Sequence, residues 1–256
     1  MENQVAPQPQ TENKLKFPTE TITLPSKGLL YPEDNPLSSG EIEIKYMTAR
    51  EEDILTNQNY IKNGTVIDRL LKSVIISKIN YDDLLIGDKN AIMIATRILG
   101  YGSNYSYNYK GEESTIDLSE LENKEIDESL FVKGKNEFKY KLPHSKNEIT
   151  FKLLIQKDEK KIDREIEGLK KIDKNGSFEL STRMKHLILS INGSYESKDI
   201  REFVDNYFLA KDSRALREYI REIQPDVDLT TTIIKDNGDS EDITLPININ
   251  FFWPDF

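Results

Sequence analysis

Glu41-Ile42-Glu43-Ile44-Lys45-Tyr46-Met47-Thr48-Ala49-Arg50-Glu51-Glu52-Asp53-Ile54-Leu55 changes its period halfway along. Ile42, Ile44 and Tyr46 alternate with charged residues, which places them on one face of a strand. At Thr48 the alternation stops. Thr48-x-x-Glu51 has the spacing of a capping box, and Glu51, Glu52 and Asp53 put negative charge where a helix N-terminus is positive. A strand that hands over to a capped helix implies both kinds of element in one chain. The rest of the sequence repeats that exchange in blocks.

Upstream, Glu20 to Pro25 alternates like a short strand, and Ser26 to Pro32 reads as a turn centred on Gly28. Residues 1–18 are polar and carry proline, the composition of a flexible arm. Downstream, Gly64 breaks the pattern before a second helix over 65–77, with Val66, Leu70, Leu71 and Val74 on one face. A third helix, starting near Asp82 or Asp88, turns Ile92, Ala95, Thr96 and Leu99 inward and stops at Gly100-Tyr101-Gly102. From 103 to 155 the period returns to two, with Tyr105, Tyr107 and Tyr109 alternating and turns at Gly111 and at 143–147, giving two antiparallel hairpins. Helical patterns then cover 157–172, 179–191, 198–210 and 211–223, the last capped by Asp212 or Ser213 and stopped by Pro225. Residues 228–256 alternate again around Asn237-Gly238. The fold class is therefore α+β, helical blocks alternating with antiparallel β-hairpins. The expected units are an arm over 1–18, an α+β domain over 19–130 and a second over 131–256.

A net charge of −10 and the absence of a long Lys/Arg run argue against nucleic acid as a partner. There is no cysteine, which removes disulfides, thiolate metal sites and cysteine nucleophiles together. With only His144 and His186, a three-histidine zinc site is impossible. Met1 to Gln10 has neither a basic n-region nor an apolar h-region, and no apolar run reaches membrane-spanning length. A protein of the cytosol, or of something assembled there, is expected, with no membrane partner. Three of the four Asn-x-Ser/Thr triplets, at Asn63, Asn175 and Asn192, are Asn-Gly pairs and read as turns or caps.

No catalytic motif stands out. Asp82, Asp83 and Asp88 cluster at a helix mouth, where they serve as caps or, on a catalytic reading, as acid/base groups or ligands for a hard cation. Gly100-Tyr101-Gly102 follows a helix rather than a strand, so it is no dinucleotide fingerprint. His144 sits in a turn and His186 beside Leu187 and Ile188, neither at a motif spacing from a serine or carboxylate. The tyrosine alternation at 105–109 lacks the interleaved cations of a base-stacking platform and suits a buried or contact face. No enzyme, cofactor or metal is expected.

The final six residues, Phe251-Phe252-Trp253-Pro254-Asp255-Phe256, hold the only tryptophan. Large aromatics at a terminus need a surface to bury against, either the chain's own core or a partner. The interface candidates are Leu29, Leu30, Tyr31, Tyr105, Tyr107, Phe251, Phe252 and Trp253, with packing inside one subunit as the alternative.

Several of these stretches together resemble the T4-type bacteriophage baseplate hub and hub-assembly protein family. They are Leu24-Pro25-Ser26-Lys27-Gly28-Leu29-Leu30-Tyr31-Pro32, the run from Gly40 through Met47-Thr48-Ala49-Arg50 to Leu55, and Gly64 to Leu71. Leu84-Leu85-Ile86-Gly87-Asp88, Arg97 to Tyr101, and the ending from Leu245-Pro246 to Trp253-Pro254 complete the set. The likeness extends over residues 20–256. It implies a non-enzymatic tail protein of the virion baseplate, assembled in the host cytoplasm and contacting other hub proteins or its own copies in a ring. A chaperone absent from the finished tail is the alternative within tails, and a carboxylate-dependent hydrolase the alternative outside them. Members of the family often carry Cys-x-x-Cys pairs in their hairpins. This chain has none at Tyr107–Gly111 or Thr231–Gly238, so the resemblance implies degenerate, zinc-ribbon-like hairpins held without metal.

Overall fold

The computed structural model describes residues 18–234, 240–245, 247 and 249–252. In chain order they form β1 (Thr19–Thr23), β2 (Glu41–Lys45), α1 (Ala49–Leu55), α2 (Gln58–Lys62), α3 (Val66–Val74) and α4 (Ile86–Tyr101). Two hairpin strands follow, β3 (Asn104–Tyr109) and β4 (Glu112–Asp117). Next come β5 (Phe138–Lys141), β6 (Glu148–Phe151), α5 (Gln156–Ile172), α6 (Glu179–Leu187) and β7 (Ile188–Ile191). The last elements are α7 (Ser197–Asn206), α8 (Ala210–Ile223), β8 (Thr230–Ile234) and β9 (Ser240–Thr244). The sheets are all antiparallel: β1-β2, β3-β4, β5-β6-β7 and β8-β9. The molecule is α+β, with helical blocks alternating with hairpins.

The switch at Thr48 is as the spacing requires. Ile42 and Ile44 are buried on one face of β2, and Glu51 reaches back to the Thr48 backbone N–H at 2.9 Å. Glu51 is itself fully buried, held also by Lys45 Nζ and Ser73 Oγ. Burial alone would raise its pKa, but these donors outweigh it and lower the value to about 2.

The pattern misleads in several places, among them the following. The apolar run 179–191 is not one helix: α6 ends at Leu187, and Ile188–Ile191 pair with β6 across a register shift at Thr150/Phe151. Apolar residues ending in Ile-Leu-Ser-Ile satisfy either period, and an open edge on β6 decides for strand. α4 starts at Ile86, while Tyr81–Asp83 form a separate 3-10 turn whose Asp82 N–H donates to the Asn80 side chain. Neither Asp212 nor Ser213 caps α8. Its N-cap residue is Leu209, and the Asp212 carboxylate turns elsewhere. Asn237-Gly238 lies outside the described residues.

The buried side chains join in one hydrophobic cluster that runs from Leu24 to Phe252, across the boundary expected near residue 130. Backbone links cross the same boundary. Gln156 N–H donates to Leu84 O at 2.8 Å, Lys124 N–H to Asp226 O at 2.8 Å and Asp228 N–H to Glu122 O at 2.8 Å. Described residues on both sides of position 130 thus contribute to one cluster. At its centre lies α4, whose Ala91, Ile92, Met93, Ile94, Thr96 and Arg97 are all buried. A helix apolar over so much of its circumference must be covered on several sides. Gly87 allows one of those approaches: a Cβ there would stand 1.9 Å from the Pro225 carbonyl oxygen.

Candidate functional site

The stretches that carry the family resemblance meet around α4. The turn after β1 folds over its N-terminus, and a buried carboxylate joins the two. Asp88 Oδ1 accepts from Ser26 N–H at 2.9 Å, and Oδ2 accepts from Ser26 Oγ at 2.7 Å and from the Tyr31 hydroxyl at 2.6 Å. Both hydroxyls are used twice. Tyr31 OH accepts from Leu85 N–H at 2.9 Å, and Ser26 Oγ accepts from Gly28 N–H at 3.2 Å. Gly28 adopts φ 75°, and a Cβ there would lie 2.4 Å from Ser38 O, so the turn admits only glycine.

No cation among the described residues pairs with Asp88. Burial pushes its pKa up, against the pull of the hydrogen bonds from Tyr31 and Ser26, and Asp226 nearby adds to the rise. The Tyr31 hydroxyl is likewise held protonated, by burial first and then by the charge of Asp88. Every polar atom named here has a partner and none faces solvent. This cradle ties turn to helix and offers no approach to a substrate.

At the other end of α4, Arg97 is 4% exposed and, among the described residues, hydrogen-bonds backbone carbonyls alone. Its Nε donates to Phe251 O at 3.0 Å and Nη1 to Gly102 O at 2.9 Å, while Nη2 reaches Asn104 O at 3.4 Å. Burial lowers its pKa. The guanidinium thereby fastens the 3-10 turn Ile249–Phe252 to the helix and to the start of β3.

The interface candidates can now be placed. Leu30, Tyr31, Tyr105, Tyr107, Phe251 and Phe252 are all buried in the chain's own core, and Leu29 is half-buried. Tyr105 packs edge-on to Phe251 with ring centroids 5.0 Å apart, and Phe251 edge-on to Phe252 at 5.4 Å. Burial of these six by the chain's own residues favours the alternative of packing within one subunit. Trp253 lies outside the described residues.

The carboxylates and histidines do not converge. Asp82 pairs with Lys160, whose hydrogen bond lowers its pKa, and Asp83 reaches Asn35 Nδ2 at 3.5 Å. His144 donates its backbone N–H to Asp212. His186 Nε2 lies 2.9 Å from Glu165, which Arg201 clamps with two bonds of 2.7 and 3.1 Å. Those bonds, Arg201 first, overcome partial burial and lower the Glu165 pKa to about 2. No three metal-ligating side chains gather among the described residues, and no helix among them is long and apolar enough to cross a membrane.

Sequence reasoning missed a pattern. Glu51, Asp88, Asp158 and Asp212, the buried carboxylates among the described residues, all occupy the third position of a helix. An acid in a first turn is legible as a dipole partner. Its burial is not, since that depends on which distant segment covers it.

No protein-family model matches this chain, and neither a curated protein nor a solved structure is significantly similar to it.

Proposed function

We propose that this chain is a non-enzymatic component of a T4-type phage baseplate hub, or a factor that assembles one, acting through protein–protein contacts. One observation carries the reading. The resembling stretches are not scattered over the surface: Leu24–Pro32 and Leu84–Asp88 are joined through Asp88, and Arg97 and Phe251 through the guanidinium. A shared set of mutually contacting residues is what a common framework would keep. The carboxylates named as hydrolase candidates bind separate partners, which favours the contact reading over a catalytic one.

On this reading the protein belongs to the tail baseplate and is assembled in the host cytoplasm, with other hub proteins or further copies of itself as partners. Quantitative mass spectrometry of purified tails against an infected-cell lysate tests it. A fixed few copies per tail makes the chain a structural subunit. Presence in the lysate alone makes it an assembly factor. Absence from any tail-forming infection rejects the reading.

A further inference from the structure

Although the chain carries net charge −10, one groove on it is cationic. It has a volume of about 550 Å³ and lies across α1, α2 and α3, lined by Arg50, Arg69 and Lys72 with Tyr60, Ile54 and a single acid, Asp53. The Arg69 guanidinium stacks 4.1 Å from the Tyr60 ring centroid and Lys72 Nζ lies 5.0 Å from that of Tyr81, so both heads are positioned by aromatic faces. None of the three cations forms an ion pair among the described residues.

The complement is on the same chain. Residues 112–128 hold eight acidic residues and one basic residue, Lys124. Glu113, Glu120, Glu122 and Glu125 are exposed, and the strip's one ion pair among the described residues joins Glu128 to Lys27 at 2.7 Å. Just beyond it Leu130 and Val132 are 43% and 59% exposed, an apolar end to the strip. No ion pair or hydrogen bond joins strip to groove within the chain among the described residues.

We infer that the α1–α3 groove receives the 112–128 strip of a second copy of this chain. Two different patches meeting on identical subunits make a heterologous contact, which closes into a ring or runs on as a filament. The inference rests on the contact-protein part of the reading above and deepens it by naming both surfaces; it does not depend on the baseplate.

The test uses the purified full chain. Sedimentation should show association that rises with concentration at about 50 mM NaCl and weakens about tenfold or more at about 500 mM, as screened charge pairs do. Arg69→Glu with Lys72→Glu should be monomeric alone, and so should Glu120→Lys with Glu122→Lys and Glu125→Lys. Mixing the two should restore association, since each groove then meets a strip of opposite charge. Circular dichroism checks that both are folded. Should either fail to fold, carbodiimide coupling on an equal mixture of ¹⁵N-labelled and unlabelled native chains decides. Mixed-isotope links from Lys72 to Glu120, Glu122 or Glu125 support the contact, and links only elsewhere overturn it. A monomer at about 100 µM in low salt, or association that survives the groove reversal, also overturns it. A chain that stays monomeric yet is found in tails removes this contact and leaves the baseplate reading intact.

Discussion

Asp88 and Asp212 stand at the same position of two helices, α4 and α8, and both are fully buried. Each reaches away from its own helix to hold a distant loop, and neither forms an ion pair among the described residues. Their electrostatics nevertheless run in opposite directions. Asp88 takes one backbone N–H and two hydroxyls beneath the Leu24–Tyr31 turn, and burial wins, raising its pKa. Asp212 takes the backbone N–H groups of His144 and Ser145 at 2.8 and 2.9 Å, beneath an exposed turn. Burial is its largest influence too, but those donors outweigh it and the pKa falls. A buried acid is thus characterised by its donors and the depth of its cover, not by its position in the helix.

The largest expected effect breaks the Asp88 side alone. Gly87→Ala drives a Cβ to 1.9 Å from Pro225 O, where backbone cannot yield cheaply. A loss of about 3 kcal/mol is expected in urea unfolding, whereas Lys211→Ala, at the equivalent and exposed position of α8, should change stability by under about 0.5 kcal/mol.

Asp212→Asn comes next. Both partners of Asp212 are obligate donors, so one face of an amide would confront an N–H, at a cost of about 2 kcal/mol by the same measurement. A neutral result would mean that the amides of the 143–146 turn find water instead.

The opposed shifts predict opposed pH responses. A lowered pKa contributes stability above the ordinary Asp value of 3.8, lost as the pH falls through the lowered value. A raised pKa contributes stability that is full below 3.8 and is lost as the pH rises through the raised value. Hydrogen-exchange protection at His144 and Ser145 should therefore fall relative to that at Ser26 as the pH is lowered from about 5 to about 3. Equal losses at both loops would remove the distinction.

Asp88→Asn is the smallest. An amide at 88 keeps an acceptor for Ser26 N–H and removes a buried charge, which offsets the acceptor lost to the hydroxyls of Ser26 and Tyr31, so the change should cost less than about 1 kcal/mol at pH 7, below the cost at 212. Reversal of that order would show that Asp88, not Asp212, is the more firmly held anion.

Much of the chain was legible locally. The capping box at Thr48, the apolar face of α3 and the hairpins of β3-β4 and β5-β6 follow from spacing over a few residues. Ile188–Ile191 was not legible, because both periods fit it and only the free edge of β6 chose. The cover of the interface candidates was hidden for a related reason. Tyr31, Phe251 and Phe252 were recognisable as residues that need a surface, but not as residues that would find it on α4.

By itself, then, the sequence determined most kinds of element and their order, Ile188–Ile191 excepted, since those depend on periodicity, caps and turn residues within one stretch. Tertiary structure alone decided what covers what. It turned Asp88 and Asp212 from helix caps into loop anchors, used Arg97 to hold the 249–252 turn and left the cations of the α1–α3 groove without an ion pair among the described residues. The physical reason is range. Backbone preferences act over a few residues, whereas burial and charge depend on neighbours that the chain brings together from more than sixty residues away, as from Ser26 to Asp88.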